Sequence, residues 1–194
     1  EAHESGLVHR DVKPANVILC RQGGLYDFPK VVDFGLVKDL EPSGDEALTR
    51  ADIIAGTPLY IAPEAITAPE SVGPQSDIYS LGAVGYFALT GQHVFQGRTL
   101  VEVCSHHLHT TPEPPSRRVD SPVPADLEAL VLECLEKDPA RRPAGARELR
   151  RRLSACAAFG GWTEADARAW WEQNAAATAP TLSPPPDGDF TLTR

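Results

Sequence analysis

His9-Arg10-Asp11-Val12-Lys13-Pro14-Ala15-Asn16 is the stretch on which the reading of this chain turns. Leu7-Val8 before it and Val17-Ile18-Leu19 after it are rich in β-formers, which predicts short strands around a tight polar loop. Asp11 and Asn16 lie five residues apart on that loop, so two groups that handle protons or metal ions can face one site. Lys13, two residues past Asp11, can set a positive charge beside a transferring phosphoryl group. Seventeen residues after Asn16 comes Asp33-Phe34-Gly35, at the end of a second predicted strand. A carboxylate there can share Mg²⁺ with Asn16, because hard cations take oxygen ligands and leave the remaining positions to phosphate oxygens.

Working outward, Ala2 to Ser5 followed by Gly6 reads as a helix end with its terminal glycine. Gly23-Gly24 predicts the turn from which Lys30-Val31-Val32 returns as the second arm of a hairpin. From Lys38 to Ile54 the chain is acidic and aperiodic, which predicts a mobile surface loop. Asp77 to Leu89 is apolar on nearly every side, the pattern of a buried helix, so Asp77 enters a core and needs donors. Asp126 to Glu136 spaces Leu127, Leu130, Val131, Cys134 and Leu135 as a one-sided amphipathic helix. A Pro-rich loop, Thr111 to Pro124, precedes it, and Ala144 to Leu153 predicts a further short helix. Trp162 to Ala177 reads as a separate helical unit capped by Thr163 with Asp166 in the third helical position. Thr178 to Arg194, with Pro180, Pro184, Pro185 and Pro186, predicts a disordered linker or tail.

Composition narrows the function classes. Eighteen Lys and Arg against 27 Asp and Glu give a net charge of −9, which disfavours a binder of nucleic-acid backbones. The longest apolar stretch, Leu81 to Leu89, is too short to span a bilayer, and no basic-then-apolar leader opens the chain. Cys20, Cys104, Cys134 and Cys156 form no Cys-x-x-Cys pair, as expected of reduced thiols in a cytosolic protein. The 194 residues begin at Glu1 and contain no methionine, which suggests a piece of something longer.

The motifs, taken together and in order, resemble those of eukaryotic-type Ser/Thr protein kinases in their bacterial form. His9 to Asn16 looks like the catalytic loop and Asp33-Phe34-Gly35 like the magnesium loop. Gly56 to Glu64 (GTPLYIAPE) resembles the end of an activation segment, and Asp77 to Gly82 the start of the central buried helix. Leu135 to Pro143 (LEKDPARRP) resembles the late motif whose arginine pairs with the activation-segment glutamate. The resemblance covers residues 7 to 153 and implies an α+β, mainly α-helical fold. That fold would be the large C-terminal lobe of a protein kinase lacking the N-terminal β lobe. No glycine-rich phosphate loop or V-A-I-K-like strand occurs in the chain, so on its own it is expected to bind ATP weakly and turn over negligibly. The implied organisation is a partial kinase domain over 1–153, a Trp-containing helical extension over 154–177 and a Pro-rich tail over 178–194.

The roles the resemblance implies fall on single residues. Asp11 would accept the substrate hydroxyl proton, and Lys13 would steady the γ-phosphoryl group. Asn16 and Asp33 would hold Mg²⁺, or Mn²⁺ in its place, on the phosphates of ATP. Thr57 would bridge Asp11 and Lys13, the Ser/Thr-type combination. Glu64 and Arg142 would form a buried ion pair anchoring the activation segment, and Asp77 would take backbone N–H bonds near His9 and Arg10. Arg10 would receive a phosphorylated loop residue, with Thr49 preferred and Ser43 behind it. The expected partners are ATP and protein substrates with Ser or Thr, without nucleic acid or a membrane segment, and oligomeric state stays open. The expected location is cytoplasmic, with a membrane anchor in a longer protein compatible. A kinase-like scaffold without catalysis is the competing reading, and a small-molecule phosphotransferase a third, which the Gly56 to Glu64 substrate-groove segment opposes.

Simpler readings stand beside several of these residues. His9 is expected to pack beneath the loop rather than act as a base. Cys104, His106, His107 and His109 lack regular ligand spacing and suit a polar helix end better than zinc. Arg141, Arg147, Arg150, Arg151 and Arg152 suit a solvated helix face. Trp162, Trp170 and Trp171 are expected to dock their helix on the main body.

Overall fold

The computed structural model describes residues 1–34 and 58–174. The expectations for 38–54, for Thr57, Thr49 and Ser43, and for the 178–194 tail lie outside the described residues. Within them the chain opens with a 3₁₀ turn, His3–Ser5, closed by Gly6 at φ 75°. Strands β1 (Val17–Gln22) and β2 (Leu25–Val31) pair antiparallel, with Val17 opposite Val31 and Gln22 opposite Leu25. Gly23 and Gly24 join them with φ of 60° and 86°, the double positive φ that a two-residue hairpin turn demands. Leu7-Val8 is not a strand, contrary to expectation. The amides that follow it, His9 and Arg10, are claimed by a carboxylate from a distant helix and cannot enter a ladder.

Among the described residues six α-helices follow: α1 (Pro63–Thr67), α2 (Pro74–Thr90), α3 (Leu100–His109), α4 (Ala125–Cys134), α5 (Ala146–Leu153) and α6 (Glu164–Gln173). Helix α2 is the axis of the fold. It starts on Pro74 and stops at Gly91 (φ 66°), whose N–H bonds Phe87 O at 2.8 Å. Tyr79, Ala83 and Tyr86 on α2 pack with Val94, Phe95, Val131 and Leu135, while Ile78 packs with Leu130, Cys134 and Leu149. Helix α4 crosses α2 so closely that a Cβ on Gly82 would lie 2.5 Å from Cys134 Cβ. The apolar pattern of α2 predicted burial all round, but Leu81 is 39% exposed and Phe87 and Leu89 are only half-buried. Neighbouring elements cover the faces bearing Ile78, Tyr79 and Gly82 and leave that of Leu81 open.

The 111–124 loop is tied down rather than loose. Tyr86 donates to Glu113 O at 2.9 Å, and Arg118 donates to His93 O and Val94 O. Helix α6 carries the expected capping box, with Thr163 N–H on Asp166 Oδ2 at 2.9 Å and Asp166 N–H on Thr163 Oγ1 at 3.3 Å. Among the described residues no helix is long and apolar enough to cross a membrane.

Candidate functional site

The polar loop hangs from one carboxylate. Asp77, in the first turn of α2, is buried, and its Oδ1 accepts Arg10 N–H at 2.8 Å. Its Oδ2 accepts His9 N–H at 2.8 Å and lies 2.8 Å from His3 Nε2. The positive end of the helix dipole favours a carboxylate there. These bonds hold Arg10 at φ 67°, a conformation that costs a non-glycine residue about 1 kcal/mol. His3 was not singled out in the sequence, because a partner 74 residues away leaves no local signal.

His9 is buried and both its ring nitrogens are engaged. Asp11 N–H donates to Nδ1 at 3.3 Å, so the proton belongs on Nε2, which donates to Val32 O at 2.9 Å. The ring thus bridges the loop to the end of β2, and Phe34 packs on it at 4.7 Å between centroids. Val32 N–H in turn bonds Asn16 O at 3.0 Å. One cross-link from each end of the loop, from His9 and from Asn16, therefore fastens it to the residue preceding Asp33.

Asp11 projects between Lys13 and Asn16. Its Oδ2 accepts Lys13 Nζ at 2.7 Å and Asn16 Nδ2 at 3.0 Å. Asn16 Nδ2 also donates to Asp11 O at 2.8 Å, so the amide spends both N–H groups on Asp11 and keeps Oδ1 as an acceptor. Asp33 (φ 60°) is exposed, and its carboxylate has no hydrogen-bond or ion-pair partner among the described residues. An amide oxygen and an uncommitted carboxylate on cross-linked segments are hard donors of the kind Mg²⁺ takes, with phosphate oxygens completing its shell. The Arg10 side chain is exposed and likewise without a partner among the described residues.

Glu64 and Arg142 meet beside the first turn of α2. Arg142 NH1 lies 2.7 Å from Glu64 Oε1 and NH2 2.8 Å from Oε2, a bidentate pair with the Arg142 side chain 0% exposed. The remaining donors reach Gln75 O at 2.8 Å, Glu136 O at 2.8 Å and Lys137 O at 3.1 Å, so all five N–H groups are used. Ser76 Oγ adds a 2.7 Å bond to Glu64 Oε1. Burial pushes the Glu64 carboxyl up, but the bonds from Arg142 and Ser76 outweigh it and hold the carboxyl below its usual range.

The other clusters have structural partners. His107 is fully buried with Nδ1 2.8 Å from Tyr79 Oη, and burial pushes its pKa down to about 3, so the ring is neutral. His106 lies 2.9 Å from Thr110 Oγ1. No group of three or more His, Cys, Asp or Glu side chains converges on a metal position among the described residues. The arginine face is laced with ion pairs: Arg141 to Glu136, Arg147 to Glu4, Arg151 to Glu148 and Arg152 to Glu133. The tryptophan helix docks on β2, where Trp162 Nε1 and Trp171 Nε1 both bond Asp27.

Comparison with known proteins follows the same residues. The protein kinase domain family matches residues 2–153. The serine/threonine-protein kinase pkn3 of Myxococcus xanthus is 38% identical over 157 residues, 80% of this chain and 28% of that protein. PknB of Mycobacterium tuberculosis is 40% identical over 149 residues, 77% of this chain and 23% of PknB. The chain thus spans about a quarter of the length of these curated relatives. The solved structure of Rad53 1-466 in complex with AMP-PNP superposes with a TM-score of 0.57 over 78% of this chain and 35% of that one. At 24% identity that likeness speaks for the fold alone. With the family matched over residues 2–153 and bacterial serine/threonine kinases similar over most of its length, the chain belongs to the protein kinase domain family.

Proposed function

We propose that this chain carries the phosphotransfer machinery of a serine/threonine protein kinase, moving the γ-phosphoryl group of ATP to Ser or Thr hydroxyls of proteins. The observation that carries this reading is Asp11, poised on a loop that Asp77 suspends and gripped on one oxygen by Lys13 and Asn16. With Oδ2 engaged, Oδ1 is left to accept the substrate hydroxyl proton and aim its oxygen for in-line attack. Lys13 stays within reach to steady negative charge on the transferring group. Asn16 through Oδ1 and Asp33 through its carboxylate would hold the metal, Mg²⁺ or Mn²⁺ in its place. When bound, that ion neutralises charge developing on the nucleotide phosphates. Thr57 is proposed to bridge Asp11 and Lys13, and phosphorylated Thr49, or Ser43 behind it, to pair with the exposed Arg10.

On this reading residues 1–153 form the large C-terminal lobe, 154–177 a helical extension and 178–194 a linker or tail. An enzyme drawing on ATP is proposed to work in the cytoplasm, a location compatible with membrane anchoring of a longer protein. The test is phosphorylation of a generic basic protein by the enzyme containing this chain, with and without Asp11→Asn. The expected loss is about 10²–10⁴-fold, as for removal of an acid–base group. A near-normal rate in the variant refutes the role of Asp11. Turnover of small hydroxyl compounds in preference to protein refutes the substrate class.

A further inference from the structure

Two tryptophans nine residues apart in sequence bond a single carboxylate. Trp162 Nε1 donates to Asp27 Oδ2 at 2.8 Å and Trp171 Nε1 to Asp27 Oδ1 at 2.7 Å. Trp162 stands just before the α6 cap and Trp171 in its last turn, and the eight steps from the Thr163 cap to Trp171 alone span about 12 Å of helix rise. An anchor gripped from both ends of a helix sets its direction as well as its position. Ala167, midway between the two, is buried.

Asp27 is aimed at the indoles by an irregularity in the hairpin. Cys20 pairs with Phe28 and Gln22 with Leu25, so Tyr26 and Asp27 together oppose the single residue Arg21, a β-bulge. Asp27 itself sits at φ 54°, a conformation that glycine would adopt without strain but that only a side chain with two acceptor oxygens can turn into a clamp. Beyond the end of β2, six residues after Asp27, comes Asp33, preceded by Val32, which is cross-linked to His9 and Asn16.

We propose that α6 is a brace for the metal-binding end of β2, acting through the Trp162–Asp27–Trp171 clamp, with Asp27 as a positioning residue for Asp33. This rests on the reading of Asp33 and Asn16 as metal ligands given above. The C-terminal extension is then part of the working lobe, and release of α6 loosens the strand that presents Asp33.

All three tryptophans of the chain lie in the extension, so their fluorescence reports on this docking alone. The experiment compares the full 194-residue chain with Asp27→Gly, which tolerates the backbone and removes both acceptors, and Asp27→Asn, which retains one. Trp171→Phe, which removes one donor and keeps an aromatic ring, serves if Asp27→Gly does not fold. Three readouts are taken: acrylamide quenching, amide exchange over residues 28–33 against α2 as internal reference, and Mn²⁺ affinity from paramagnetic broadening of the Asn16 and Val32 amides. In Asp27→Gly, quenching is expected to rise about twofold, exchange over 28–33 to accelerate about tenfold with α2 unchanged, and Mn²⁺ affinity to fall about threefold to tenfold. Asp27→Asn and Trp171→Phe should fall between. Unchanged quenching overturns the clamp, and increased quenching with unchanged exchange and Mn²⁺ affinity overturns the brace. Asp33→Asn separates the two readings: if it leaves Mn²⁺ broadening intact the metal site fails, while the exchange readout still decides the brace.

Discussion

Replacing Arg142 by alanine strips five donors from the interior at once. Glu64 keeps the Ser76 hydroxyl but no charged partner among the described residues, and the carbonyls of Gln75, Glu136 and Lys137 lose a charged partner. Breaking a buried ion pair on one side costs about 3–5 kcal/mol, chiefly because the surviving charge is left uncompensated. With a urea dependence of about 2 kcal/mol/M, the unfolding midpoint should drop by about 1.5–2.5 M. Far-UV circular dichroism is the right signal, because the tryptophans all lie in the extension. Glu64→Gln should cost less, about 1–3 kcal/mol, since Arg142 keeps its three carbonyl partners.

The pH dependence has opposite signs in the two proteins. In the native chain the Glu64 carboxyl is held below its unfolded value, so its contribution is fully present above the unfolded pKa and fades as pH falls through the folded one. Without the guanidinium, burial, the largest influence on Glu64, is opposed by the Ser76 hydroxyl and a backbone bond and no longer by a charge, so the carboxyl rises and protonation stabilises the variant as pH falls toward 5. The gap between the two should therefore be widest near neutrality and narrow in acid. A cost below about 1 kcal/mol at pH 7, or a gap that does not change with pH, refutes the account of this pair as a desolvated charge held by Arg142.

Gly82→Ala should destabilise by about 1–3 kcal/mol although alanine is the better helix former, because the new methyl would lie 2.5 Å from Cys134 Cβ. Adding Cys134→Gly in urea melts should recover more than the two single changes sum to, and additivity would contradict the close crossing. Lys137 is pushed down to about 8, first by burial and then by Arg142, so the folded state binds fewer protons than the unfolded one between that value and about 10.5. Stability should accordingly rise from pH 8 toward pH 10, and Lys137→Met should flatten that rise; an unflattened profile assigns it elsewhere. Asp77→Asn exchanges one acceptor oxygen for an NH₂ group and should speed exchange of the His9 and Arg10 amides more than about tenfold. Retained protection in that variant would show that the loop does not hang from Asp77.

What the residues alone determined is the chemistry that reaches only a few positions along the chain. Asp11, Lys13 and Asn16 meet because they share one short loop, and their types already name a proton acceptor, a cation and an oxygen ligand. The Thr163–Asp166 box and the Gly23-Gly24 turn were legible for the same reason, since their geometry closes within four residues or fewer. The resemblance carried the reading further, to the Glu64–Arg142 pair 78 positions apart, which no periodicity marks. Tertiary structure alone decided which polar groups would find each other across the fold. His3 reaches Asp77 over 74 residues, and Asp27 collects two indoles over 135 and 144. The same distant carboxylate keeps Leu7-Val8 out of a sheet by taking the amides that follow, overriding a local β preference. Leu81 stays exposed on a helix whose composition called for burial, because apolar side chains are covered only where another element packs against them. Propensity and spacing act between neighbours in sequence, whereas burial and long-range hydrogen bonds depend on what the folded chain brings alongside.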